Sequence, residues 1–184
     1  MSLSQEKYLS RLAIGVRCLA FLSVASVAAM DARPAFPDTR ACPVPKPVVA
    51  GLLDWIAEHT DYDTAITAND LPIAVVCAVG DVIDYAHEAT IVDEGINGLY
   101  DFEDRRIYLI EPWEIGDLRD RSVLLHELVH AVQLDNREWD CIGAPEWEAY
   151  KLQEAWLAEH GLDADFDWMR IYFQSRCAKD IHPD

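Results

Sequence analysis

The chain has 184 residues, with 33 Asp and Glu against 15 Lys and Arg, and a formal charge of −18 at neutral pH. That length supports one domain with a sizeable core. Its charge excludes nucleic acid, which requires a basic footprint, and adhesion to anionic lipid surfaces.

Residues 1–29 read as a signal peptide. Lys7, Arg11 and Arg17 form a positive n-region, and Cys18 to Met30 is an unbroken run of small and apolar residues. The run is too short to span a bilayer as a helix. Val27-Ala28-Ala29 places small residues where a signal peptidase reads them, so cleavage is expected near Ala29. Cleavage removes three cations and one anion, moving the formal charge to −20, and leaves Cys42, Cys77, Cys141 and Cys177. An exported chain meets an oxidising compartment, so two disulfides are expected among these four, with the pairing open. The expected location is the periplasm or the exterior, with no stable membrane insertion after cleavage.

Residues 30–47 carry Pro34, Pro37, Pro43, Pro45 and Pro47, which suits an extended arm rather than a helix or a central strand. A single domain is expected over 48–184. Val49, Leu52, Leu53, Ile56 and Ala57 recur at helical spacing, predicting a helix over 48–58 that ends at Thr60-Asp61-Tyr62-Asp63. Leu71 to Val79 is short, apolar and rich in β-branched residues, as a buried strand is. Asp81 is placed to cap a short helix over 82–88. Gly95 to Phe102 and Arg106 to Ile110, separated by Glu103-Asp104-Arg105, read as a β-hairpin.

Asp117, followed three residues later by Asp120, is an N-cap with an acidic N3, so a helix should begin near Leu118 and run to about Leu134. Pro145 opens a further long helix that Gly161 stops, and residues 166–177 could add a helical tail.

The first of these long helices contains His126-Glu127-Leu128-Val129-His130 inside an otherwise apolar run. Positions i and i+4 lie one turn apart on one helix face, so the two histidines can converge on one metal ion. Glu127 projects about 100° round from His126, beside the metal rather than on it. Catalytic zinc takes three protein ligands and leaves a position for water, so a third ligand is needed. Of His59, His87, His160 and His182, none stands six residues after His130, where Asn136 is found. Glu146 and Glu148 of the following helix compete for the role. Glu146 shares a face with Ala149, Tyr150 and Gln153, and the small Ala149 allows that face close approach. Glu146 is therefore the favoured third ligand.

HELVH followed some sixteen residues later by Glu146-Trp147-Glu148-Ala149-Tyr150 resembles the gluzincin metallopeptidases, with HExxH on one helix and a Glu-x-x-Ala-type motif on the next. The hairpin strand with its Ile-Tyr-Leu core resembles their minimal, exported members. The resemblance covers about residues 95–157. It implies an α+β fold in which a small three-stranded sheet with a β-hairpin edge packs on a zincin-like active-site helix and a following Glu-bearing helix. It further implies Zn2+ held by His126, His130 and Glu146, with Glu127 as general base, and a peptide or protein substrate. Arg106 to Ile110, if an edge strand, could pair with that peptide. Several relatives carry an acid where Tyr150 stands, to orient a ligand histidine. Here that role must pass to a hydroxyl, a water or another carboxylate, and Tyr150 is open to an oxyanion-binding or a packing role. Two other readings remain: a zinc-binding module of the same fold without hydrolytic activity, and a disulfide-stapled helical module in which HELVH is fortuitous.

Overall fold

The computed structural model describes residues 40–41 and 44–178. The signal segment with its cleavage near Ala29, most of the proline-rich arm, Cys42 and His182 lie outside the described residues. Eleven elements follow in order among those described: β1 Arg40–Ala41, α1 Lys46–His59, α2 Ala65–Asn69, β2 Ile73–Cys77, β3 Val82–Tyr85, β4 Glu88–Ile91, β5 Gly98–Asp101, β6 Arg106–Ile110, α3 Leu118–Asn136, α4 Glu146–Glu159 and α5 Trp168–Gln174.

The fold is α+β. Strands β2, β6 and β5 form a small three-stranded sheet, which the two-residue β1 extends along β2. β6 pairs parallel to β2, from Ile73↔Arg106 to Cys77↔Ile110, and antiparallel to β5, from Gly98↔Leu109 to Asp101↔Arg106. β6 is thus central, and the hairpin's exposed edge is β5. The reason lies in its side chains. Ile107 and Leu109 join the large core formed with α1, α3 and α4, whereas Tyr108 and Ile110 join a smaller cluster with Val75, Cys77, Ile83 and Val92. A strand buried on both faces reads as a continuous apolar run, as this one does.

The helix expected over 82–88 is instead a β-hairpin, β3–β4, with register Val82↔Ile91 to Tyr85↔Glu88. Its two turn residues, Ala86 and His87, have φ of 52° and 63°, the left-handed geometry that suits right-twisted strands and that Gly or Asn usually supplies. Left-handed backbone costs an L-residue about 1–2 kcal/mol. A tertiary contact offsets it: the Ala86 N–H donates to Oδ2 of the fully buried Asp101 at 3.0 Å. Asp101 Oδ1 also accepts from the Glu103 amide at 3.0 Å, so one acid joins the two hairpin turns.

Helix α3 begins where Asp117 accepts from the amides of Arg119 and Asp120. It lies at the centre of the domain, with Leu124, Leu125, Leu128, Val129, Ala131 and Val132 fully buried. Burying a leucine contributes about 2 kcal/mol, so this run dominates the core. Ala149 of α4 is fully buried in the same core, which lets α4 approach α3 closely.

Cys141 and Cys177 form a disulfide, with Cα atoms 5.7 Å apart and a sequence separation of 36. The expectation of two disulfides is corrected at Cys77, which is a free, buried thiol. Its side chain packs as a small hydrophobe in the lesser cluster, and burial, with the charges of Asp81 and Glu111, pushes the thiol pKa up to about 11. No described helix is long and apolar enough to cross a membrane. Replacing both Cys141 and Cys177 by Ser should lower unfolding stability by about 4 kcal/mol, the chain-entropy contribution of a loop this long, as read from urea midpoints. An unchanged midpoint would show that the bridge does not constrain the unfolded chain.

Candidate metal centre

One turn apart on α3, His126 and His130 direct their Nε2 atoms to within 3.0 Å of each other. Glu146, the first residue of α4, brings its carboxylate to them: Oε2 lies 3.4 Å from His126 Nε2, and Oε1 lies 3.4 Å from His130 Nε2. Glu148 is turned elsewhere, accepting from the Tyr62 hydroxyl at 2.6 Å and from Gln133 Nε2 at 2.9 Å. Among the described residues, none of the other histidines joins the centre. His59 bonds Glu159 at 2.9 Å, His160 bonds the Trp156 carbonyl at 2.7 Å, and His87 stands beside Asp84 and Asp104 at the hairpin turns.

The tautomers follow from two buried amides. Gln153 Oε1 lies 3.1 Å from His126 Nδ1, and Gln133 Oε1 lies 3.1 Å from His130 Nδ1. Both amides are held in that orientation. Gln133 Nε2 donates to the Pro145 carbonyl and to Glu148, which can only accept. Gln153 Nε2 donates to the Ser122 hydroxyl, whose own proton goes to the Arg119 carbonyl. Each neutral imidazole therefore carries its proton on Nδ1 and a bare lone pair on Nε2. The orienting partners are carboxamides rather than the hydroxyl, water or carboxylate expected. Glu148 acts a step further out, accepting from Gln133.

Two imidazole lone pairs and two carboxylate oxygens thus face one another, and the donor atoms of the three residues lie within 4.8 Å. Acceptors that converge without a proton between them repel, and a cation among them reverses the sign. Tetrahedral zinc with bonds of 2.0–2.1 Å sets ligand atoms about 3.3 Å apart, close to the spacings found here. The donor set also suits zinc, with two imidazoles, one carboxylate and outer partners in place.

Glu127 sits beside this centre, 5% exposed. Burial pushes its pKa up, the charge of Glu146 adds to the rise, and the two histidines oppose it. The edge strand β5 closes over it. A Cβ at Gly98 would lie 2.7 Å from Glu127 Oε1 and 2.8 Å from Val123 Cγ1, so glycine is required for this approach. Sequence reading missed Gly98 because nothing local marks it; the constraint comes from a helix 29 residues away.

A cleft of about 770 Å³ opens onto the centre. One wall is β5 with the preceding loop at Ile96 and Asn97, and the other includes Trp139, Ile142, Phe166 and Arg170. Tyr150 packs edge-on against His126, with ring centroids 4.5 Å apart, and against Phe166 at 5.1 Å. Tyr85, from the hairpin that the sequence reading made a helix, lines the cleft as well. Burial, together with Glu127 and Glu146, raises the pKa of both phenols, so both remain protonated donors.

An α+β domain with HExxH on its central helix and a carboxylate from the next helix beside both histidines is the class that fold and site define. Residues 41–184 match a family described as a domain of unknown function, DUF6647, and the chain belongs to that family. No curated protein and no solved structure matches it. Glu146→Ala is expected to weaken zinc binding by more than the roughly 10–100-fold typical of an outer partner, and Glu148→Ala by no more than that. Competition with a chromophoric chelator measures both, and the reverse order would exchange their assignments.

Proposed function

We propose that this protein is an exported, zinc-dependent peptidase or related amide hydrolase of gluzincin type. The observation that carries the reading is the convergence of His126 Nε2, His130 Nε2 and the Glu146 carboxylate beside a buried Glu127 that faces a cleft. His126, His130 and Glu146 would hold the metal, with Gln153 and Gln133 fixing the two imidazoles. Zinc bound there supplies Lewis acidity, which activates a water and polarises a carbonyl.

The remaining chemistry belongs to the chain. Glu127 takes the proton of the attacking water and returns it to the leaving amine, as general base and then general acid. Its raised pKa brings it nearer the working pH of a group that must both accept and donate. β5 rather than β6 offers the docking edge: it pairs only with β6 among the described residues and lines the cleft through Gly98, Leu99 and Tyr100. An extended peptide can add to that edge by main-chain hydrogen bonds and lie along the centre. Tyr150 and Tyr85 are the hydroxyls available to a developing oxyanion. The Cys141–Cys177 bridge supports export, because such bonds persist in oxidising compartments.

Glu127→Gln should retain zinc with little change in affinity and lose hydrolysis of a mixed peptide pool. Unchanged hydrolysis would refute the mechanism, and an inert wild-type, zinc-loaded chain would favour a binding module. Gly98→Ala should act in the same direction, since its methyl group displaces the Glu127 carboxylate while leaving His126, His130 and Glu146 in place. A Gly98→Ala protein with full activity would show that Glu127 does not depend on the edge strand.

A further inference from the structure

Arg170 brings the cleft lining its one Lys or Arg side chain. It stands on α5 one turn from Gln174, which lines the cleft too, while Ile171 between them is buried in the body. The cleft-facing stripe of α5 is therefore Arg170 and Gln174. The disulfide holds this helix against the loop at Cys141 to Gly143. A Cβ at Gly143 would collide with the Gln174 carbonyl, so the two segments are in direct backbone contact.

The guanidinium has no hydrogen bond, ion pair or ring partner among the described residues. That is unusual in a chain with 33 acids and 15 bases. The other arginines whose side chains are described are all engaged. Arg105 and Arg137 pair with Asp135 and Glu148, Arg119 and Arg121 bond backbone carbonyls, and Arg106 and Arg176 lie over tyrosine rings. Arg170 lines the same cleft as Tyr150. Tyr150 in turn packs on His126. A guanidinium with no such partner among the described residues thus lines the same cleft as the metal centre, beside a segment tied by a covalent bridge. Planar guanidinium matches a carboxylate in two parallel hydrogen bonds. A lone positive charge lining a cleft in an acidic protein also draws anionic groups to it.

We propose that Arg170 selects substrates bearing a carboxylate, either the free C-terminus of a peptide or an acidic side chain near the bond to be cut. The proposal rests on the peptide-hydrolase reading of the same cleft and names the substrate class for it. Three probes test it: an acetylated apolar hexapeptide with a free C-terminal carboxylate, its amidated twin, and that amidated twin with one internal glutamate. Binding to the zinc-loaded Glu127→Gln chain is measured by calorimetry, which needs no turnover. One carboxylate peptide should bind roughly tenfold or more tighter than the neutral twin, as a charge-assisted hydrogen bond does. Which of the two gains tells whether the carboxylate comes from the chain end or a side chain. Arg170→Ala should abolish that difference without altering zinc content, and Arg170→Lys should keep part of it. Arg170 is exposed, so folding is not at stake in either variant. Equal affinity for the three peptides, no binding of any, or an equal loss for all three in Arg170→Ala would overturn the proposal. Carboxylate-dependent binding by a chain whose wild type never cleaves would refute hydrolysis and leave this site standing.

Discussion

Two histidine lone pairs held 3.0 Å apart are the constraint on which the rest of this structure depends. Gln133 and Gln153 keep those lone pairs bare, and Glu146 adds two more acceptor oxygens rather than a donor. Such an arrangement is unfavourable without a cation and strongly favourable with one. The surrounding architecture serves to hold it. Gln133 is locked by Pro145 and Glu148, Glu148 by Tyr62, and Gln153 by Ser122. Groups from α1's exit loop, α3 and α4 therefore hold the two imidazoles through a shared set of hydrogen bonds. Buried networks of this kind tolerate little rearrangement, because each unsatisfied group costs about 1–3 kcal/mol.

Helix α3 carries both chemistry and stability. Its leucines anchor the core, while Ser122, His126, Glu127 and Gln133 are buried polar residues on the same helix. That combination explains why the sheet is small and both faces of β6 are covered. The helix needs apolar cover on the side away from the cleft, and the β3–β4 hairpin covers the sheet's far face. Asp101 links the two turns by hydrogen bonds, and the hairpin so placed contributes Tyr85 to the cleft. Fold and site are joined at that carboxylate.

The cleft is asymmetric. Its β5 wall is backbone, suited to reading an extended chain without regard to sequence. Its opposite wall is built from side chains of the 139–143 loop and α5, where Ile142 is 79% exposed and Arg170 has no partner among the described residues. The Cys141–Cys177 disulfide ties the 139–143 loop to the segment that follows α5.

Periodicity, caps and motif spacing by themselves determined α1, α3, α4 and the β5–β6 pair, because each rests on interactions within a few residues. Asp117 capping α3 and HELVH one turn apart are local facts, and the choice of Glu146 over Glu148 followed from which α4 face carries Ala149. Tertiary structure alone decided what depends on distant partners. Ala86 and His87 form a left-handed turn only because Asp101 accepts the Ala86 amide, so residues 82–91 are a hairpin where a capped helix was expected. The free thiol of Cys77, the central place of β6, the glutamines behind the histidines and the glycine over Glu127 share that origin. In each case the controlling atom is far away in sequence and adjacent in space, and no local pattern of residues encodes such an adjacency.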